Sequence, residues 1–187
     1  MKGPSDSLTT ERLTVRRFTL DDLEMLVDLN SDPEVTRYTG GVKDRAASEK
    51  MLRERILDYY DKYPGLGCWV TIERATGETV GMHLLNHIHG EPDIQTGYIL
   101  FKRFWGRGYA TEMCVEVLRY GFVTLGLPQI VAITDLPNTP SQHVLLKSGL
   151  RRKGERKLAH PHYAASEAFA WFEVDAADWL AERARGA

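Results

Sequence analysis

The chain has 187 residues, of which 43% are hydrophobic and 27% are charged, with a formal net charge of −2. This length fits one folded domain, 1–187, and the composition excludes a disordered chain. A net charge this close to neutral does not indicate a nucleic-acid partner. No apolar run reaches the length of a membrane span, and the first residues lack the apolar segment of a signal peptide. We therefore expect a cytoplasmic protein without a membrane partner.

The first third of the chain predicts one strand followed by helices. Residues 12–18 alternate in part between apolar and polar side chains, which favours a strand. The next segment places Leu20, Leu23 and Val27 on one face of a helix. Residues 46–63 repeat apolar side chains at helical spacing and end at a Pro-Gly breaker, which predicts a longer helix.

The rest of the chain predicts strands that alternate with helices. The predicted strands are 68–73, 79–88, 94–101, 129–135 and 168–174. The predicted helices are 109–125, 138–150 and 175–184. Because 68–73 and 79–88 flank a short turn, they form a hairpin and pair antiparallel. This order predicts an α/β (α+β mixed) fold with a mixed sheet rather than a purely parallel one.

A glycine-rich stretch, KRFWGRGYATE at 102–112, separates a predicted strand from a predicted helix. Helix N-termini expose unpaired N–H groups and carry partial positive charge, so they bind phosphate. Gly106 and Gly108 let the backbone approach an anion closely. Arg103 and Arg107 add charge-assisted contacts. The stretch therefore predicts a pyrophosphate site, with a simple linking turn as the alternative.

A dinucleotide site is one interpretation of this loop, and it would make the chain an NAD(P)-dependent oxidoreductase. In that interpretation Asp135, at the end of the next strand, binds the ribose. The third glycine of the dinucleotide motif is absent, because Thr111 stands in its place. Asp135 also follows Gly108 by 27 residues, against a usual spacing of about 20. These departures leave the oxidoreductase a minor alternative.

The loop resembles a family signature more closely. Arg103-x-x-Gly106-x-Gly108 is similar to the Q/R-x-x-G-x-G/A motif of the GNAT superfamily of acetyl-CoA-dependent N-acyltransferases. Four runs resemble landmarks of its ribosomal-protein-alanine N-acetyltransferase (RimJ/RimL-type) branch: 10–26, 97–112, 120–127 and 138–150. The resemblance implies a central, mostly antiparallel mixed sheet flanked by helices. This sheet splays apart between its fourth and fifth strands, here 94–101 and 129–135.

The resemblance also implies where acetyl-CoA, the co-substrate, would bind without a metal. The backbone at the end of the fourth strand would pair with pantetheine like an added strand. The pyrophosphate would lie on the amides of 107–111. The implied CoA-binding residues are Ile99, Leu100, Phe101, Arg103, Gly106, Arg107, Gly108, Tyr109, Ala110, Thr111, Asn138 and Lys147.

The implied chemistry is direct attack of a neutral primary amine on the thioester. A backbone N–H of Leu100 or Phe101 would stabilise the oxyanion. Asn138 matches the family's asparagine near the pantetheine arm. Many members place a tyrosine seven residues after it to protonate the leaving sulfur, but Leu145 occupies that position here. Ser141 matches the branch's N-x-x-S serine, so we expect it to hold the thiolate. Loop and helix-cap roles are the structural alternative for Asn138 and Ser141.

The general base is less well indicated. The branch often has a glutamate two residues before the Gly-Tyr of its fourth strand, and this chain has Gln95 there. Asp93 is our candidate base, with His83 and His87 as alternatives. Glu112 matches a glutamate of the branch, although in a first helical turn it also complements the helix dipole.

The acceptor is expected to be a protein N-terminal α-amine or a small-molecule amine, and a homodimer is compatible with this interpretation. A catalytically weak acyl-CoA-binding module is the alternative from another class, because Leu145 and Gln95 depart from the family pattern. The pairs His87-x-His89 and His160-x-His162 lack the further ligands that a metal site needs. The basic residues in 151–157 are expected to form a solvated hairpin.

Overall fold

The computed structural model describes residues 8–164 and 166–186. The strands are β1 (Leu13–Arg17), β2 (Gly67–Glu73), β3 (Thr79–His87), β4 (Ile94–Leu100), β5 (Gln129–Asp135), β6 (Arg151–Arg156) and β7 (Phe169–Asp175). They form one seven-stranded sheet in the order β1-β2-β3-β4-β5-β7-β6. Every neighbouring pair is antiparallel except β4–β5, which is parallel. The predicted mixed, mostly antiparallel sheet is confirmed, and the basic run forms its edge strand β6.

Helices cover both faces of this sheet. They are α1 (Leu23–Ser31), α2 (Arg45–Lys50), α3 (Asp58–Lys62), α4 (Tyr109–Arg119), α5 (Thr139–Lys147) and α6 (Ala176–Gly186). A π-helical segment, Met51–Leu57, joins α2 to α3 without a break. A second π-helical segment, Tyr120–Thr124, extends α4. The predicted helices at 46–63 and 109–125 therefore both exist, each with a wider turn inside it.

The sheet opens between β4 and β5. β3 and β4 pair along seven successive positions, from Gly81–Leu100 to His87–Ile94. β4 and β5 share a single register pair, Gln95–Val131, at the start of β4. Beyond this pair the two strands diverge, so the second half of β4 presents one backbone edge without a neighbouring strand. The splay that the resemblance implied lies where it was expected.

Apolar side chains on both sheet faces form the core. The largest fully buried ones include Trp69, Phe104 and Phe172. Burying a side chain of this kind contributes about 1.5–3 kcal/mol each. In α1, Leu26 and Leu29 are fully buried, whereas Leu20 is 51% exposed. The predicted inward position of Leu20 was wrong, because a 3₁₀ turn precedes α1 and shifts the phase of its apolar face.

Candidate active site

The glycine loop turns the chain sharply into α4. Gly106 and Gly108 have φ angles of 74° and 81°, in the left-handed region that favours glycine. Gly108 is the N-cap of α4, and its carbonyl accepts the first helical hydrogen bond from the N–H of Glu112 at 3.0 Å. A Cβ at Gly106 would meet no atom within 4 Å. The space beside Gly106 is thus open, whereas a Cβ at Gly108 would meet Arg12 Nη2 at 3.4 Å.

A cluster of polar contacts fixes the start of α4 to the residues that precede β1. Glu112 accepts hydrogen bonds from Arg12 Nε at 2.6 Å, from the Arg12 amide at 3.0 Å and from Thr10 Oγ1 at 2.5 Å. Arg12 Nη1 also donates to the carbonyl of Arg107 at 3.0 Å. Burial raises the pKa of Glu112, but these hydrogen bonds and the Arg12 charge outweigh it and lower the pKa overall. Glu112 therefore holds the loop in place.

The two loop arginines lie on aromatic rings. The guanidinium of Arg103 is 4.5 Å from the ring centre of Phe101 and 4.9 Å from that of Phe104. Arg107 is 5.2 Å from Phe104. Both side chains are exposed, and no carboxylate of residues 8–164 and 166–186 forms an ion pair with either. The charge of Arg103 is therefore available to an anion at the loop, whereas Arg107 also hydrogen-bonds to Tyr109 and interacts with the charge of Glu73.

The backbone hydrogen bonds at the end of β4 distinguish the two candidate oxyanion donors, the N–H groups of Leu100 and Phe101. The N–H of Phe101 donates to the carbonyl of Val80 at 3.0 Å, so it is already used within the sheet. Because N–H and C=O groups alternate in direction along a strand, those of Leu100 point into the gap instead. The indole N–H of Trp105 donates to the Leu100 carbonyl at 2.9 Å. Of the two amides that we predicted as donors, only that of Leu100 faces the opening.

Asn138 and Ser141 lie across the gap, at the start of α5. Asn138 caps this helix by accepting a hydrogen bond from the Ser141 N–H at 3.3 Å. The Ser141 hydroxyl interacts with the hydroxyl of Tyr98 from β4. Burial raises the pKa of Tyr98 to about 12, against the lowering effect of this hydrogen bond. Leu145, at the position of the family's tyrosine, is buried. A phenol is therefore present beside Ser141, supplied by a different element.

One large cleft reaches the start of α5, whereas Leu100 and the glycine loop are not among the residues that line it. It has a volume of about 1420 Å³, and Tyr98, Asn138 and Ser141 line it where β4 and β5 separate. It continues past Gln95 to the helical stretch α2–α3, which contributes Arg55 among other residues. Gln95 donates to Asn86 Oδ1 at 3.3 Å, so a neutral amide stands where the branch often has a carboxylate. The far part of the cleft is the natural place for an acceptor.

The three candidate bases, Asp93, His83 and His87, lie in three different environments. Asp93 does not line this cleft, and its carboxylate lies 3.5 Å from Arg156 Nη1 beside a separate depression of about 200 Å³. His83 is fully buried, its Nδ1 is 2.7 Å from Thr71 Oγ1, and burial lowers its pKa to about 3. His87 does line the cleft, with Nδ1 2.6 Å from the Tyr59 hydroxyl. Only His87 of the three has access to an acceptor.

The fold brings His89, one member of the first histidine pair, to His160 and His162, whereas His87 contacts Tyr59 and Tyr63. The ring of His89 lies 5.5 Å from that of His160 and 4.7 Å from that of His162, with Tyr163 beside them. Within the part of the chain that the structure describes, no three His, Cys, Asp or Glu side chains are arranged to hold a metal ion. The cluster borders the far end of the cleft, and sequence spacing alone gave no signal of this meeting.

Comparison with known proteins identifies the family. Residues 12–151 match the family model described as an acetyltransferase (GNAT) domain. The chain belongs to the GNAT acetyltransferase family. It is 33% identical over 152 residues to YoaA of Bacillus subtilis, an uncharacterized N-acetyltransferase, covering 79% of this chain and 84% of YoaA. As a GNAT enzyme it is an acetyl-CoA-dependent acyltransferase.

Solved structures support the same assignment. A GNAT acetyltransferase from Bacillus anthracis superposes with a TM-score of 0.74 at 26% identity, over 91% of this chain and 98% of that one. Spermidine N-acetyltransferase from Vibrio cholerae, solved with CoA and spermine, shares the fold with a TM-score of 0.72 at 17% identity, over 91% and 99%. Among the described residues, no helix is long and apolar enough to cross a membrane.

Proposed function

We propose that this GNAT enzyme transfers an acetyl group from acetyl-CoA to a primary amine by direct attack on the thioester. The observation that carries the proposal is the unpaired edge of β4, where Tyr98 of this strand meets Ser141 of α5 in one continuous cleft. An extended pantetheine arm would lie beside Ile99 to Phe101 as an added strand, against the backbone groups that do not pair with β3. That placement would bring the thioester beside the two hydroxyls.

The glycine loop would hold the other end of the cofactor. Its pyrophosphate would accept hydrogen bonds from the amides of 107–111 at the N-terminus of α4. Arg103 and Arg107 would add charge-assisted contacts, and Asn138 would lie beside the pantetheine arm. Lys147 is exposed at the end of α5, where it would contribute positive charge near the cofactor. A solved structure of the same fold contains CoA, which supports this cofactor.

The reaction would proceed through a tetrahedral intermediate. The amine nitrogen forms a bond to the thioester carbon, and the Leu100 N–H donates to the resulting oxyanion. The carbon–sulfur bond then breaks, and the thiolate takes a proton from the Tyr98–Ser141 pair, which solvent restores. The nitrogen releases its extra proton to solvent, so a free thiol and an amide are the products.

The amine must be neutral before it attacks. An α-amine has a pKa near 8, so a substantial fraction is neutral at slightly alkaline pH without a strong base. Asp93 is not part of this proposed mechanism, because it pairs with Arg156 outside the cleft. Resemblance to the ribosomal-protein-alanine branch favours a protein N-terminus as acceptor, with small-molecule amines as the alternative.

Two measurements test the proposal. Acetyl-CoA at about 100 times its dissociation constant stabilises the fold by about 2.7 kcal/mol. For a domain of this size the melting temperature should rise by roughly 5–10 °C, whereas NAD(P) should leave it unchanged. Release of free thiol from acetyl-CoA with a panel of amines then measures turnover. Stabilisation without thiol release from any amine would instead identify an acyl-CoA-binding module, the alternative that Leu145 and Gln95 favour.

A further inference from the structure

Two half-buried cations face the acceptor part of the cleft, Arg55 and Lys43. Arg55 Nη2 contacts Nε2 of His89. Lys43 Nζ donates to the carbonyls of Thr39 at 3.0 Å and Gly41 at 3.2 Å. All of these partners are neutral acceptors. Throughout residues 8–164 and 166–186, no carboxylate lies within ion-pair distance of either cation.

These positive charges are close enough to oppose each other. Burial lowers the pKa of Lys43, and the charge of Arg55 lowers it further. Burial also lowers the pKa of Arg55. A desolvated charge without a counter-ion is unfavourable, so a bound anion would relieve the repulsion and replace lost hydration. A negatively charged ligand would therefore stabilise Arg55 and Lys43.

The surrounding side chains do not supply that charge. Burial, the charge of Arg55 and the nearby histidines lower the pKa of His89 to about 4, so His89 is neutral at pH 7. Three carboxylates of the cleft wall have partners of their own: Glu54 with Lys50, Glu91 with Arg156, and Asp135 with Ser166. The fourth, Asp58, is exposed to solvent. None of these four carboxylates lies within ion-pair distance of Arg55, so a negative charge in direct contact with Arg55 would come from a ligand.

Direct contacts link Arg55 to the open strand. The amide of His89, whose ring contacts Arg55, donates to the Tyr163 hydroxyl at 3.1 Å. Tyr163 in turn hydrogen-bonds to Gln95 of β4. Gln95 forms the one register pair that joins β4 to β5. Arg55 and the point where β4 and β5 separate therefore line the same cleft.

We propose that the acceptor is a small amine that also carries a carboxylate, which binds the Arg55 guanidinium with support from Lys43. This inference rests on the proposed function and, of its two acceptor classes, selects the small-molecule amine over the protein N-terminus. A guanidinium binds a carboxylate with two parallel hydrogen bonds, which also orients the attached amine. A polyamine would add positive charge to a pocket that already holds two unpaired cations. The pocket is therefore selective for amino acids or amino-acid-like compounds.

The test compares matched acceptors. Alanine, phenylalanine and glutamate are each assayed beside their α-carboxamides, with an amidated acidic tripeptide and spermidine as further arms. Because amidation lowers the pKa of the amine, rates are compared per neutral amine. We expect kcat/KM to be about ten- to a hundredfold higher for each free carboxylate than for its amide, the range of a charge-assisted hydrogen bond. The amidated tripeptide carries a carboxylate on its side chain but none at its C-terminus. Its rate therefore shows whether a side-chain carboxylate can replace the carboxylate of a free amino acid.

Single substitutions test whether Arg55 and Lys43 cause the preference for acceptors with a carboxylate. Arg55→Gln should raise KM for the carboxylate amines about ten- to a hundredfold and leave the amides nearly unchanged. Lys43→Gln is a second variant, expected to act in the same direction. Arg53→Gln is the matched control, because Arg53 lies on the same helical stretch but is exposed and pairs with Glu49 at 3.0 Å. Equal rates for acids and amides, or equal loss for both in Arg55→Gln, would overturn the proposal.

A binding measurement separates this inference from the proposed function. With CoA present, a carboxylate amine should raise the melting temperature of the wild-type protein and of Arg53→Gln, but not that of Arg55→Gln. If no amine releases thiol yet this stabilisation occurs, the transferase mechanism fails and the carboxylate site stands. If amides and spermidine are acetylated as well as the acids, the transferase stands and the carboxylate site fails.

Discussion

Replacing Gly106 with alanine is expected to weaken acetyl-CoA binding more than it weakens the fold. Gly106 has a φ angle of 74°, and a Cβ there would meet no atom within 4 Å. The cost to the free protein is therefore that of the left-handed backbone alone, about 1–2 kcal/mol. For a chain of this size that lowers the melting temperature by roughly 2–8 °C.

In the proposed complex the same methyl group projects toward the pyrophosphate. We expect the dissociation constant of acetyl-CoA to rise at least about tenfold, which corresponds to about 1.4 kcal/mol. Gly126→Ala is the matched control, because Gly126 has a φ angle of 67° and equally open surroundings but lies after the helix, away from the loop. The assay is calorimetric titration of acetyl-CoA into each variant, with melting temperatures measured alongside. Equal weakening in both variants, or unchanged binding in Gly106→Ala, would refute the placement of the pyrophosphate.

Three further predictions address the mechanism and the stability of the fold. Ser141→Ala should lower kcat about 10²-fold or more with little change in acetyl-CoA affinity, and unchanged kcat would exclude Ser141 from proton transfer. Because Glu112 has a lowered pKa in the folded protein, its stabilisation is complete above the unfolded value near 4.3 and is lost as the pH falls through the folded value. The difference in melting temperature between wild type and Glu112→Gln should therefore shrink from pH 7 to pH 3, and a constant difference contradicts this role. Cys68 and Cys114 are buried with raised pKa values, so a thiol reagent should label them only after unfolding, and labelling of the native protein would refute their burial.

Local sequence patterns were sufficient to predict most of the fold. Hairpin signals and apolar runs located the strands, because their periodicity depends only on which faces are buried. The glycine loop was found for a similar reason, since the positive φ angles of Gly106 and Gly108 require that residue type. The prediction failed at Leu20, where a 3₁₀ turn changed the helical phase. Such a turn leaves no clear mark in the apolar pattern.

The candidate site was less predictable, because its groups come from distant parts of the chain. Tyr98 reaches Ser141 only through the splay of the sheet, although it belongs to the Gly-Tyr pair that marks β4. Asp93 is neighboured by Arg156, a contact that sequence distance conceals. Arg55 offered a readable signal, since it lies three residues after Leu52 and four before Tyr59, on the apolar face of the predicted helix. A charge on such a face needs a partner or a ligand.

The single residue pair between β4 and β5 affects how the two halves of the sheet can move. Strands β1–β4 and β5–β7 form two panels, each cross-linked internally along several positions. Among residues 8–164 and 166–186, Gln95–Val131 is the one strand pairing that joins the panels, and the packing of α4 on α5 is a second connection. We expect this pair to act as a hinge, so that the angle between the panels would set the width of the cleft. A cofactor bound along β4 would lock this angle, and slower amide hydrogen exchange across both panels would report the locking.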